Sequence, residues 1–243
     1  MKPFLLLATR AEDVAADGEH QALRRFGGLA EDELHRVRLE AGPMPPIDLD
    51  RYSGVIVGGS PFNASDPQDG KSEVQLRVED ELASLLDEIV ERDFPFLGAC
   101  YGVGTLGVHQ GGIIDRTYGE PVGAVDVTLS AAGRADPLFV GMSDTFRAFV
   151  GHKEAVHTPP EHAVVLASSP SCPVQAFRIK QNLYATQFHP ELDVEGITTR
   201  VQVYRDAGYF EPAELHRVIQ DIRSAAVDEP PQMLATFVRR YAR

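Results

Sequence analysis

The stretch that most constrains this chain is the apolar run Phe94-Pro-Phe-Leu-Gly-Ala99, which stops at a cysteine framed by small residues, Gly98-Ala99-Cys100-Tyr101-Gly102. The run is β-prone and preceded by a charged stretch, so it reads as a buried strand. The segment after Tyr101 is short, apolar and studded with glycine. Small residues two positions either side of a nucleophile let a strand turn sharply into a helix and present the side chain at the helix N-terminus. The positive potential there favours a thiolate, and the N–H of Tyr101 points to where an oxyanion would form. A buried core thiol is the competing reading. Glycine inside a strand or helix costs roughly 0.5–1 kcal/mol against alanine, and a core strand gains nothing from Gly98, Gly102, Gly104 and Gly107. The nucleophile is the better reading, provided a base lies elsewhere.

Elements before the cysteine alternate in type. Phe4 to Ala8 reads as a strand, His20 to Phe26 as a short helix stopped by Gly27-Gly28, His35 to Glu40 as a strand, and Tyr52 to Ser60 as an apolar strand ending in glycines. Lys71 to Asp93 places Val74, Val78, Leu82, Leu85, Leu86, Ile89 and Val90 on one helical face. This order predicts an α/β fold with a doubly wound, mostly parallel central sheet flanked by helices, its sites lying beyond the carboxyl ends of the strands. From Gly111 to Phe188 short strands over 122–129, 145–150, 163–168, 174–179 and 183–188 predict a small antiparallel β portion. Three amphipathic helices complete the chain, over 194–207, 212–226 and 232–241. We expect one domain over 1–192, with 193–243 as a helical extension packed on it.

A formal net charge of −13 without a Lys/Arg run argues against nucleic acid or an anionic membrane surface as the main partner. The apolar part of the N-terminus is too short for a signal peptide or a membrane span. Two cysteines, Cys100 and Cys172, make no disulfide framework, and a reducing cytoplasm fits best. His152, His157 and His162 recur every five residues, a spacing that gathers no ligand set, so no metal is expected. His152 and Lys153 read as part of a solvated loop, and Cys172 as non-catalytic. The glycine-rich 102–112 stretch lacks Gly-Lys-Ser/Thr and is no P-loop. No cofactor is expected.

A cysteine nucleophile needs a base, and the base needs an orienting group. Gln187-Phe-His-Pro-Glu191 offers both: a β-rich segment stops at His189, Pro190 ends the strand, and Glu191 can accept from one ring nitrogen while the other faces a thiol.

By its cysteine and His-Pro-Glu blocks, the chain resembles the class I glutamine amidotransferases, and within them the free-standing, GMP-synthase-like branch. Gly54-Val-Ile-Val-Gly-Gly-Ser-Pro61 is similar to the family's early glycine loop, Gly151-His-Lys-Glu-Ala-Val156 to its His-Lys-Asp-x-Val segment, and Ala167-Ser-Ser-Pro-Ser-Cys-Pro173 to its Ser-rich loop. The resemblance implies that Cys100 attacks the side-chain amide of glutamine to give a glutamyl thioester and ammonia, which water resolves to glutamate. His189 would carry the proton, Glu191 would orient it, and the N–H groups of Gly59 and Tyr101 would hold the oxyanion, with Gly58 and Gly104 beside the substrate. It also implies a separate synthase subunit that accepts the ammonia, since no activating domain comes after His189. The family usually has Gln where this chain has Gly104. Open space there would suit a larger γ-glutamyl compound, cleaved by a stand-alone peptidase or hydrolase. A catalytically silent regulatory subunit is the alternative outside enzymes.

Overall fold

The computed structural model describes residues 1–243. In chain order the elements are β1 (Phe4–Ala8), α1 (Asp13–Gly27), β2 (Leu34–Arg38), β3 (Val55–Val57), α2 (Glu73–Glu91), β4 (Phe96–Ala99), α3 (Tyr101–His109), β5 (Ile113–Asp115) and β6 (Glu120–Leu129). Next come α4 (Ala131–Ala135), β7 (Thr145–His152), β8 (Ala155–Thr158), β9 (Val164–Ser168), β10 (Ala176–Ile179), β11 (Leu183–Thr186), α5 (Val194–Val203), α6 (Leu215–Ser224) and α7 (Pro230–Tyr241).

The central sheet has nine strands in the order β2-β1-β3-β4-β11-β10-β9-β6-β7. The five from β2 to β11 pair parallel, and the remainder pair antiparallel. A parallel strand buried on both faces must be apolar at every position, and β1 is: Phe4, Leu6 and Ala8 face a core that includes Leu23 of α1 and Phe237 of α7, while Leu5 and Leu7 face one that includes Leu82 of α2 and Leu106 of α3. The antiparallel strands belong to this same sheet, so the second half of the chain extends the first. The pair β5–β8, unforeseen in the sequence, stands apart against α3.

Two helices differ from expectation. The first begins at Asp13, not His20. Gly18 sits on its exposed side, where it breaks no packing, and Ala15, Ala16, Ala22 and Leu23 supply a continuous buried stripe. In α2, Val74 is exposed, because the buried face runs through Gln75, Val78 and Leu82. Ser72 caps that helix by accepting from the Gln75 N–H.

Four adjacent parallel strands, β1, β3, β4 and β11, end on one edge of the sheet. Beyond their carboxyl ends come Arg10, Gly58 to Ser60, Cys100, and Gln187 to His189. The turn after β4 is possible only because two glycines touch: a Cβ on Gly98 would lie 2.8 Å from the Gly102 backbone. Gly98→Ala is therefore expected to destabilise the fold by about 1–3 kcal/mol, read as a lower urea midpoint at unchanged slope.

Candidate active site

Cys100 occupies the turn between β4 and α3 with φ of 54° and ψ of −87°. A non-glycine residue at positive φ costs of order 1–3 kcal/mol and persists only where the surroundings fix it. Here the Cys100 N–H is held by the Thr186 carbonyl of β11 at 2.7 Å, and its own carbonyl starts α3 by accepting from Val103. The strain points the thiol off the strand end. One strand over, β11 runs out at Thr186 and the chain delivers His189 and Glu191, whose side chains meet through Nδ1 and Oε1 at 2.8 Å. The His189 N–H is fixed by the Phe149 carbonyl of β7. No hydrogen bond joins imidazole to thiol in this resting arrangement, where Gln187 Nε2 lies 4.0 Å from Sγ. Catalytic contacts of this kind often tighten only when substrate binds.

Behind these three residues lies a buried ionic cluster that was not foreseen. Glu19 Oε1 accepts from Arg10 Nε at 3.1 Å, from Arg200 Nη2 at 3.2 Å and from the Gly59 N–H at 3.2 Å. Arg200 also pairs with Glu191 Oε1 at 2.9 Å, and its Nη1 lies 3.0 Å from His189 Nδ1. Two of its charged residues sit on the apolar stripe of a helix: Glu19 between Ala15/Ala16 and Ala22/Leu23 of α1, Arg200 between Ile197 and Val201 of α5. A lone charge in such a stripe was the available signal. Arg10 carried another, since it directly follows the first central strand.

This cluster decides what the glycines after β3 do. The Gly59 N–H donates to Glu19, and a Cβ there would lie 2.4 Å from Arg10 Nη2 and 2.8 Å from His189 Cε1. At Gly58 a Cβ would strike Glu19 Oε2 at 2.3 Å. A Cβ at either position would displace members of the cluster, so both glycines pack directly against it. Gly104 is also not the open space expected: Glu154 Oε1 and the Ala64 Cβ stand 3.0 and 3.1 Å from where its Cβ would be. Glu154 fills that corner because its carboxylate accepts from the Ala64 and Ser65 N–H groups at 2.8 and 2.7 Å.

His152 does not lie in a solvated loop either. It ends β7, buried, with Nε2 on Glu120 at 2.9 Å and Nδ1 on the Glu154 carbonyl at 2.8 Å. Cys172 completes a second buried Cys–His–Glu group, with ligand atoms within 4.8 Å of one another. Every member is engaged: Glu120 also accepts from Ser169 and Gln175, and the Cys172 thiol donates to the Val174 carbonyl at 3.5 Å. The group ties the Ser-rich turn to the strand end that carries Glu154. Over the site, Lys153 donates to the Ala207 carbonyl at 2.5 Å and stands 4.8 Å above the Tyr209 ring, holding the 204–210 segment against the cysteine.

Burial dominates the titration of the site. It pushes the Cys100 thiol up to about 12, with the Glu154 and Glu191 charges adding to it, and together they outweigh Arg10 and Arg200, which favours the thiol over the thiolate expected from the turn alone. For Glu191 burial works upward, but the His189 and Arg200 charges and the His189 hydrogen bond outweigh it and hold the carboxyl well below its usual range. Burial lowers His189 below 6.5; Glu191 opposes the shift, while Arg200 and Arg10 reinforce it. A base must be neutral to accept a proton, and this one becomes protonated only below the ordinary imidazole range. With His189 as the base, the acid limb of kcat/KM, which reports the free protein, is thus expected below pH 6.5, and a pH–rate profile checks it.

The family model for "Glutamine amidotransferase class-I" matches residues 23–200. The chain is 34% identical over 118 residues to the "GMP synthase [glutamine-hydrolyzing]" of Ruminiclostridium cellulolyticum, covering 45% of this chain and 22% of that protein. It is 30% identical over 172 residues to the enzyme of the same name from Geobacillus kaustophilus, covering 70% of this chain and 29% of the relative. The chain therefore spans less than a third of the length of these relatives. A solved glutamine amidotransferase from Thermotoga maritima shares the fold with a TM-score of 0.77 at 20% identity, covering 99% of this chain and 98% of that one.

Proposed function

This chain belongs to the class I glutamine amidotransferase family, and on that premise we propose that it cleaves the side-chain amide of a γ-glutamyl compound, glutamine being the simplest, through a thioester on Cys100. The observation that supports this most is the strained cysteine at the end of β4 beside the His189–Glu191 pair delivered by β11. As substrate enters, His189 takes the thiol proton while Sγ attacks the amide carbon. The carbonyl oxygen becomes an oxyanion at the Tyr101 N–H. The C–N bond then breaks and His189 passes its proton to the leaving nitrogen. Water, activated by the same imidazole, resolves the thioester to glutamate and the free thiol. Glu191 keeps the Nδ1–H tautomer, so that Nε2 remains the acceptor. Gly59 can join the oxyanion site only by releasing its N–H from Glu19.

When the substrate is glutamine, the ammonia released passes to an acceptor enzyme on a separate chain. Incubation with glutamine should release glutamate and ammonia together, with a glutamyl adduct on Cys100 visible by intact mass after acid quench. Absence of adduct and products with glutamine and with γ-glutamyl amides alike would overturn the proposal.

The acidic net charge and the two unpaired cysteines support action on a small molecule in a reducing cytoplasm. No helix is long and apolar enough to cross a membrane.

A further inference from the structure

Two cavities meet at Cys100, and the triad divides them. One is lined by Tyr101, Gly104, Lys153, Glu154 and Gln187 but not by His189. The other is lined by His189 and Arg10 and walled by Val122, Val150, Ile197 and Val201, but Tyr101 does not reach it. Reaction chemistry assigns their contents, given the γ-glutamyl chemistry proposed above, on which this inference rests. The oxyanion gathers at the Tyr101 N–H, so the acyl portion extends into the first cavity. The leaving nitrogen takes its proton from His189, so the leaving amine occupies the second.

That second cavity is built for more than ammonia. Its wall is aliphatic, and a guanidinium stands at its floor. The Arg10 side chain is 5% exposed, and Glu19, its one carboxylate partner, is met through Nε and shared with Arg200. The Nη2 end stands over Gly59 beside His189 Cε1, in the cavity that holds Cys100. Burial works against this charge, but Glu19 and Tyr204 hold it in place. Only Nε is committed to a carboxylate, while the Nη end lies against Tyr204 and lines the cavity, and such a buried guanidinium is suited to a second carboxylate.

We propose that Arg10 binds the α-carboxylate of a leaving amino acid, and that the preferred substrate is a γ-glutamyl dipeptide whose second residue is small and apolar. The Sγ–acyl bond forms as the γ-amide C–N bond breaks, the thiol proton travels through His189 to the departing α-amine, and water later releases glutamate from the thioester. The free amino acid leaves past the 204–210 segment. The aliphatic wall of Val122, Val150, Ile197 and Val201 favours a small apolar second residue.

The test compares γ-glutamyl-alanine with γ-glutamyl-ethylamide, which differ only in the carboxylate. The expected result is a kcat/KM for the dipeptide about 10- to 100-fold higher, carried mainly by KM, as for one hydrogen bond to a charged group. Arg10→Gln should bring that ratio towards one, whatever it does to the absolute rates, and Arg10→Lys should leave an intermediate ratio. A ratio near one in the unaltered protein overturns the proposal without reference to any variant. So does an Arg10→Gln protein that slows both substrates equally, which would place Arg10 at the oxyanion instead. Failure of the underlying chemistry looks different: no γ-glutamyl compound, glutamine included, would leave a glutamyl group on Cys100.

Discussion

Cys100→Ala is expected to lower turnover of any γ-glutamyl amide by about 10⁵–10⁶-fold, the scale of losing a covalent nucleophile, and to leave no glutamyl adduct by intact mass. No neighbouring group can replace it, since Cys172 is buried in its own hydrogen-bonded group with its thiol on Val174. The same position carries a second expectation. Its φ of 54° is costly for any residue with a side chain, so Cys100→Gly, equally inactive, should unfold at a higher temperature than Cys100→Ala by the equivalent of about 1 kcal/mol. Equal melting temperatures would mean that the turn is unstrained.

Glu191→Gln is expected to lower kcat by about 10³–10⁴-fold, as when a triad carboxylate becomes an amide and the wrong imidazole tautomer is favoured. In this chain the effect has a specific agent. Arg200 Nη1 already lies 3.0 Å from His189 Nδ1. A ring nitrogen cannot donate to Glu191 and accept from Arg200 at once, and in the native site the carboxylate wins because it accepts from both. Once the carboxylate is neutral, Arg200 holds the Nδ1 lone pair and the proton moves to Nε2, where it blocks acceptance from the thiol. A second change, Arg200→Met, should then recover part of the lost rate. Nitrogen-15 shifts of the imidazole would show the tautomer directly, and an unchanged Nδ1–H in Glu191→Gln would refute this account.

The features legible in the sequence and those hidden from it divide along a physical line. Cys100, His189 and Glu191 stand next to the residues that shape their backbone, the glycines and the proline, so local chemistry marked them as candidates, and the fold brings His189 and Glu191 into contact. The strand-and-helix alternation up to β4 was legible for a related reason, since β1, β3 and β4 are buried at every position and carry no polar side chain. Arg10, Glu19 and Arg200 lie 190 positions apart at their extremes, and only the fold joins them. Glu19 lies mid-helix, where a carboxylate ordinarily faces water. The open space expected at Gly104 failed for a related reason: the side chain that fills it belongs to Glu154, fifty residues on. The antiparallel strands were recognised singly, but their partners in the nine-stranded sheet could not be read from alternation alone.

Cys100 and His189 hang from β4 and β11, which lie side by side with Ala99 opposite Thr186. Cys100 follows β4 directly, and His189 comes three residues after β11 ends with its N–H fixed by the Phe149 carbonyl of β7, so both are anchored to the sheet. The turns at 60–70 and 204–211, by contrast, close over the site without carrying either reactive atom. An engineer could exchange those turns for others and change what the site admits while the reactive pair keeps its distance. Selectivity and reactivity are separable inheritances in this architecture, and a library confined to those two turns should yield altered substrate preference far more often than dead protein.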